Sequence, residues 1–199
     1  MKRLISLIAL VGGCLFLLAS CAPGNTRQIA PDFLAATLDG QTFGLKGHLR
    51  QQGNKVLIVA FVNTACKPCE EDLVYLQSIN DRYRSDGLDV VCVVTGQSGN
   101  TDRAKRFIRN LDLNLPVVSD KGGAISKRYH VTGFPCQYVI DQEGFVRFIG
   151  LGCSERVKAK LEENLRELLS ASFSPSFLNQ ENCRPGMESH SAEVNPLQQ

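Results

Sequence analysis

Apolar and polar positions divide the chain into three zones. From Leu4 to Leu18 nearly every position is apolar, behind a short positive head of Lys2 and Arg3. From residue 29 to about 170, apolar runs alternate with polar breaks at strand and helix spacing. From Ser172 to Gln199 the chain is rich in Ser, Asn, Gln, Pro and Glu, with few apolar anchors. That composition buries too little to order itself, so a flexible C-terminal tail is expected over 171–199.

The middle zone predicts its elements one by one. Residues 29–50 hold short apolar stretches around Asp39-Gly40, a hairpin signal. Lys55 to Asn63 is a continuous β-branched run that suits a strand covered on both faces. Leu73, Leu76, Ile79 and Tyr83 recur at helical spacing over residues 70–84, and Asp86-Gly87 ends the pattern. Leu88 to Thr95 is a second buried strand, and 101–111 and 122–130 have helical character. Pro135 to Ile140 and Phe145 to Ile149 are strands joined by the turn Asp141-Gln142-Glu143-Gly144. Ser154 is placed to cap a last helix running to about Ser170, with Val157, Leu161, Leu165, Leu168 and Leu169 facing inward. The order β-hairpin, β, α, β, α, α, β, β, α predicts an α/β fold. A central sheet carries helices on both faces and ends in an antiparallel pair.

The leading apolar run would rise about 22 Å as a helix, short of the roughly 30 Å hydrocarbon core of a bilayer. It therefore reads as a secretory signal. Leu18-Ala19-Ser20-Cys21 resembles the bacterial lipobox, which implies cleavage before Cys21 and a diacylglycerol on its thiol. An ordinary signal cleaved near Ala22-Pro23 is the alternative. The expected plan is a lipoprotein signal peptide at 1–20, a tether at 21–28, one folded domain at 29–170, and the tail. This would anchor the protein by lipid on the extracytoplasmic side of a bacterial envelope, in the periplasm or on the outer surface. Diacylation with an acylated amino terminus would supply the several chains that stable anchoring needs.

Composition then narrows the function. The 199 residues are 43% hydrophobic and 21% charged, which is globular. The net charge is +2, and removing Lys2 and Arg3 leaves basic and acidic side chains equal in number. No basic field of the kind that binds nucleic acid is present. The 8 cysteines stand out. Outside the cytoplasm their disulfides can persist.

Cys66-Lys67-Pro68-Cys69 stands where a buried strand ends and a helix begins. A helix N-terminus has free N–H groups and about half a positive charge, which stabilise a thiolate. Two intervening residues let both sulfurs meet across the first turn, and Pro68 costs little there. Lys67 adds a positive charge beside the nucleophile. Cys66 is the expected attacking thiol and Cys69 the buried resolving thiol. A lone CxxC can be half a zinc site, but no second CxxC or His pair with ligand spacing accompanies it. The dithiol itself carries the electrons, so neither a cofactor nor a metal is expected. Downstream, Val131-Thr132-Gly133-Phe134-Pro135 opens a strand, where a cis proline or a strand-initiating trans proline is expected.

Together these segments resemble the TlpA/ResA-like thiol–disulfide oxidoreductases of the thioredoxin superfamily. The resemblance covers about residues 29–170. It rests on Ala30-Pro31-Asp32-Phe33, the strand running into Cys66 and Cys69, the segment ending Phe134-Pro135, and Val139-Ile140-Asp141. It implies a thioredoxin-like fold with a central mixed sheet, an added N-terminal β-hairpin and a central insertion. It implies that Pro135 lies opposite the CxxC, where an incoming substrate pairs with the backbone beside Phe134. It also implies a membrane-tethered protein that exchanges disulfides of protein partners and is recharged by a membrane thiol–disulfide electron donor. Some relatives prepare apocytochrome c for haem attachment. The chain departs from the family in having Asn63-Thr64-Ala65 where Trp is usual. It has Ala60 where thioredoxin carries a buried Asp. It has Asp72 where several relatives have Glu. Asp72 is a candidate proton shuttle for Cys69, or, with Glu70 and Glu71, a complement to the helix N-terminus.

The other thiols divide less cleanly. Cys92 sits inside a Val-rich strand and reads as core. Cys136 follows Pro135, where relatives more often have Thr, so it is expected near the active rim, as a third redox thiol or as a small apolar filler. Cys153 could bridge to Cys136 or to Cys183. Two other functions fit less well. A glutathione-peroxidase-like thiol peroxidase would use Asn63-Thr64-Ala65-Cys66. A Sco-type copper chaperone would use Cys66, Cys69 and His130.

Overall fold

The structure is a computed structural model and describes residues 28–96 and 101–170. The expected signal peptide, lipidated Cys21, C-terminal tail and Cys183 lie outside the described residues. Among the described residues, no helix is long and apolar enough to cross a membrane.

The elements in chain order are β1 (Leu34–Ala36), β2 (Thr42–Gly44), α1 (Leu45–Leu49), β3 (Val56–Asn63), α2 (Lys67–Tyr83), β4 (Leu88–Gly96) and α3 (Thr101–Asn110). They continue with β5 (Val117–Lys121), α4 (Ala124–Arg128), β6 (Cys136–Asp141), β7 (Val146–Leu151) and α5 (Glu155–Ser170). The main sheet has the order β5-β4-β3-β6-β7. β3, β4 and β5 run parallel, and β6 and β7 are antiparallel to their neighbours. This is the thioredoxin-like α/β arrangement with a central mixed sheet flanked by helices and an N-terminal hairpin.

Strand alternation sorts the core into two faces. Leu57, Val59 and Phe61 of β3 join Tyr138 and Ile140 of β6 on the face covered by the N-terminal segment and α4. Val56, Ile58 and Ala60 join Val139 on the opposite face, under Leu76 and Ile79 of α2 and Leu161 and Leu165 of α5. β3 is therefore buried along its length, as its unbroken apolar run requires.

The N-terminal segment is a strap across one face. Val146 N–H donates to the Gln28 carbonyl at one edge of the sheet, and Leu38 N–H donates to the Val117 carbonyl at the other. Phe33 and Phe43 stack within it and close over Tyr129. The hairpin turn falls at Asp39-Gly40, with Gly40 at φ +89°. The strap also covers the outer edge of β5, which removes an unpaired strand edge.

α2 starts at Lys67, so the CxxC opens the helix where the sequence placed it, with Pro68 in the first turn. Three details depart from the sequence reading. β5 and α1 were not anticipated. β5 has only Val117 and Val118 as apolar residues before Ser119-Asp120-Lys121, too few for a strand signal. α4 is shorter than 122–130 because Asp120 accepts the N–H groups of Ile125 and Ser126 and so sets where the helix begins. Gly87 ends the turn after α2 at φ +102°, and a Cβ there would stand 2.4 Å from the Gly53 carbonyl oxygen.

Candidate active site

β3 ends at Asn63, and the next three residues are shaped by that side chain. Asn63 Oδ1 accepts the Ala65 N–H at 2.9 Å, and its carbonyl accepts the Cys66 N–H at 3.0 Å. This turn delivers Cys66 to the N-cap of α2 in an extended conformation, with no side chain capping the helix amides. Cys69 follows one turn in. The two form a disulfide, with Cα atoms 5.3 Å apart. Cys66 is half-buried, while Cys69 is fully buried among Val62, Leu73, Cys92 and Val94. Only Cys66 is open to a macromolecular partner. On reduction its sulfur would face the free amides and positive end of a seventeen-residue helix, which favours the thiolate.

The Phe134–Pro135 bond is cis. The β3–β6 register pairs Phe61 with Cys136, so Pro135 lies level with the end of β3 from which Cys66 departs. Phe134 is half-buried and packs on the same apolar cluster as Cys66 and Cys69. The carbonyl of Pro135 accepts the Gly152 N–H at 2.8 Å, which ties the proline to the end of β7. Leu151 is exposed and lies against Gly133, beside the segment that carries the cis proline.

Beneath Cys69 lies a buried acid. Asp72 is one helical turn further along α2 and fully buried. Burial pushes its pKa up to about 6, with the Gln137 amide and the Lys158 charge opposing the rise. Gln137 donates its side-chain N–H to Asp72 Oδ1. Gln137 is the β6 partner of Ala60 in the β3–β6 ladder. Asp72 of α2 is thus joined to the β6 residue that neighbours Ala60. Sequence reasoning did not single out Gln137, although a glutamine inside a strand buried on both faces was a visible signal.

Lys67 is exposed and paired with Glu70, which raises its pKa by hydrogen bonding and charge. Its charge beside Cys66 is therefore partly neutralised. Of the two readings of Cys136, its burial fits the small apolar filler. Cys136 is buried on the strap face with Phe61 and Tyr138, while Cys69 sits on the α2 side. Burial pushes its thiol up to about 11, so it stays protonated. The reason is strand alternation: the residue after Pro135 turns away from α2, and the next, Gln137, turns toward it. Cys92 is buried in the core, with its thiol pushed up by burial. Among the described residues Cys92, Cys136 and Cys153 are free and no Cys136–Cys153 bridge forms, while the Cys183 alternative lies outside them. His130 is exposed at the end of α4.

A half-exposed cysteine at a helix N-cap, disulfide-bonded to a buried cysteine one turn on and flanked by a cis proline, defines a thioredoxin-fold redox protein. The chain belongs to the AhpC/TSA family, which it matches over residues 26–149, and it is a ResA-like thiol–disulfide oxidoreductase of the thioredoxin superfamily. It is 34% identical over 140 residues to thiol-disulfide oxidoreductase ResA of Bacillus thuringiensis subsp. konkukian, covering 70% of this chain and 76% of that protein. The StoA crystal structure from Bacillus subtilis superposes with a TM-score of 0.56 at 25% identity, covering 69% of this chain and 98% of StoA. A Chlorobium tepidum structure assigned as a DsbE-type thiol:disulfide interchange protein superposes with a TM-score of 0.65 at 25% identity, covering 71% of this chain and 96% of that one.

Proposed function

We propose that this oxidoreductase works tethered by lipid at Cys21 on the extracytoplasmic side of the membrane, reducing disulfides in other proteins. The Cys66 thiolate attacks a substrate disulfide and forms a mixed disulfide. The Cys69 thiolate then attacks the Cys66 sulfur, releases the substrate thiolate and leaves Cys66–Cys69 oxidised. Asp72 takes the Cys69 proton as that thiol becomes nucleophilic. A carboxylate with a pKa near 6 is ionised at neutral pH yet basic enough to accept it. Lys67 and the α2 N-terminus favour the Cys66 thiolate. Phe134, Pro135 and the exposed Leu151 form the surface on which a substrate segment lies. A membrane thiol–disulfide donor restores the dithiol. Apocytochrome c is a fitting substrate class, because its haem-attachment cysteines must be kept reduced.

The observation that carries this reading is the unequal exposure of the two joined sulfurs, half-open Cys66 and sealed Cys69, beside the cis proline. The test is a pair of measurements on the soluble chain. Cys66→Ser should abolish insulin-disulfide reduction, and Cys69→Ser should accumulate a mixed disulfide with the partner protein. A reduction potential near that of thioredoxin, about −270 mV, marks a reductant, whereas one near DsbA, about −120 mV, overturns the direction. Peroxide consumption by the reduced chain without insulin reduction would replace the whole reading with a peroxidase. Labelling with radioactive palmitate that is lost in Cys21→Ser tests the anchor.

A further inference from the structure

Two buried oxygens beside the disulfide have no partner among the described residues: Asp72 Oδ2 and Gln137 Oε1. They belong to side chains that are already joined, since Gln137 Nε2–H donates to Asp72 Oδ1. A carboxyl and a carboxamide have two complementary atom pairs, and here one pair is joined while both atoms of the other lack a partner. One proton on Oδ2, donated to Oε1, satisfies both orphans at once. The fold makes room for this. Gly150 is the β7 partner of Gln137, and a Cβ at that position would fall 2.6 Å from Gln137 Oε1.

We propose that Gln137 is the positioning residue for the proton that leaves Cys69. Once protonated, Asp72 holds that proton on Oδ2 and donates it to Gln137 Oε1, while the amide N–H donates to Oδ1. The inference rests on the proposed role of Asp72. During resolution the proton passes from Cys69 Sγ to the Asp72 carboxylate. The Cys69 electron pair forms the bond to Cys66 Sγ, and the pair of the broken Cys66–substrate bond leaves on the substrate sulfur. On reduction by a dithiol the proton returns to Cys69. Gln137 makes both states tolerable in an apolar layer, donating to the carboxylate when it is charged and accepting from the acid when it is not.

The other titratable groups that feel the Asp72 charge do not substitute for the amide. Tyr75 lies on the same helix, Cys92 on β4 is a buried thiol held protonated, and Cys136 on β6 is likewise protonated and turned to the opposite face of the sheet. Lys158 of α5 is bonded to Glu155 at 2.8 Å and sits over the Tyr75 ring, so it acts on Asp72 only at a distance.

The experiment compares wild type, Asp72→Asn, Gln137→Met and Gly150→Ala. One readout is the infrared carbonyl stretch of the oxidised protein at about pH 5, where a carboxyl of raised pKa is protonated. The other is the pH profile of thionitrobenzoate release from a Cys66 mixed disulfide, which reports attack by Cys69. Wild type should show a protonated-acid band that Asp72→Asn lacks. In Gln137→Met the band should move to higher frequency, as a free acid carbonyl does. The acidic limb of the release profile should rise by about one pH unit, because the carboxylate loses its donor. Gly150→Ala, which displaces the amide oxygen without deleting it, should move both readouts the same way and covers a folding failure of Gln137→Met. An unmoved band and limb in both variants, with Asp72→Asn still slow, would overturn the role of Gln137 alone. Wild-type release in Asp72→Asn across the pH range would remove the Asp72 reading, and Gln137 with it.

Discussion

Cys136 pairs with Phe61 across the β3–β6 ladder, and both side chains point into the strap-covered face, away from the helix that carries Cys69. Adjacency to the active-site proline in sequence therefore does not make Cys136 part of the active pair. Cys136→Ala should leave insulin reduction unchanged and lower stability by about 1 kcal/mol, the cost of a small core truncation. Urea unfolding and a reductase assay check both halves. Loss of turnover with an intact fold would return Cys136 to the chemistry.

Asp72 links stability to pH. Its folded pKa is raised from 3.8 to about 6. Between those values the unfolded chain gives up the proton while the oxidised folded protein keeps it. Stability therefore falls as pH rises from about 4 to about 6 and stays lower above that. About two pH units correspond to about 3 kcal/mol as an upper figure. Asp72→Asn should accordingly raise the unfolding free energy of the oxidised protein at about pH 8, with the gain vanishing near pH 4. An equal gain at both values would mean that Asp72 is not held in its acid form.

The Lys67–Glu70 pair competes with Cys66 for the lysine charge. Glu70→Gln should release Lys67 and lower the Cys66 pKa in the reduced protein, whereas Lys67→Met should raise it. Both shifts should stay below about half a pH unit, because the pair is solvent-exposed. Thiolate absorbance in the ultraviolet, followed against pH, reads them directly.

Asp120 holds the start of α4 and, through it, the approach to the proline. Its carboxylate accepts the Ile125 and Ser126 N–H groups at 2.9 Å each, together with the Ser126 hydroxyl. Asp120→Ala strands these buried donors and should cost about 2 kcal/mol. It should also slow insulin reduction by loosening residues 129–135. Amide exchange across α4 measures the loosening. Unchanged protection there would detach the helix from the active loop.

Most of the architecture was legible because long elements announce themselves. The run Val56 to Val62 has no polar residue, and the inward positions of α2 and α5 repeat at helical spacing. Short elements did not, since β5 and α1 hold five residues each and owe their existence to what packs on them. The same division runs through the site. Cys66 and Cys69 were read from local spacing, which a strand end and a helical turn translate directly into position, while Pro135 and Asp72 were singled out through the resemblance to thioredoxin-like proteins. Gln137 and Gly150 were not, because their meaning depends on which face of β6 meets α2 and on which strand lies alongside.

The amino-acid sequence by itself therefore determined the types of the long elements, the strand-to-helix placement of the CxxC and the polarity pattern of the three zones. All of these follow from interactions within a few residues along the chain. Only the tertiary structure decided that Cys136 faces away from the active pair and that the buried acid of α2 is met by an amide from β6. Sheet order, register and side-chain burial bring distant residues to within hydrogen-bonding range, and no local pattern encodes that proximity.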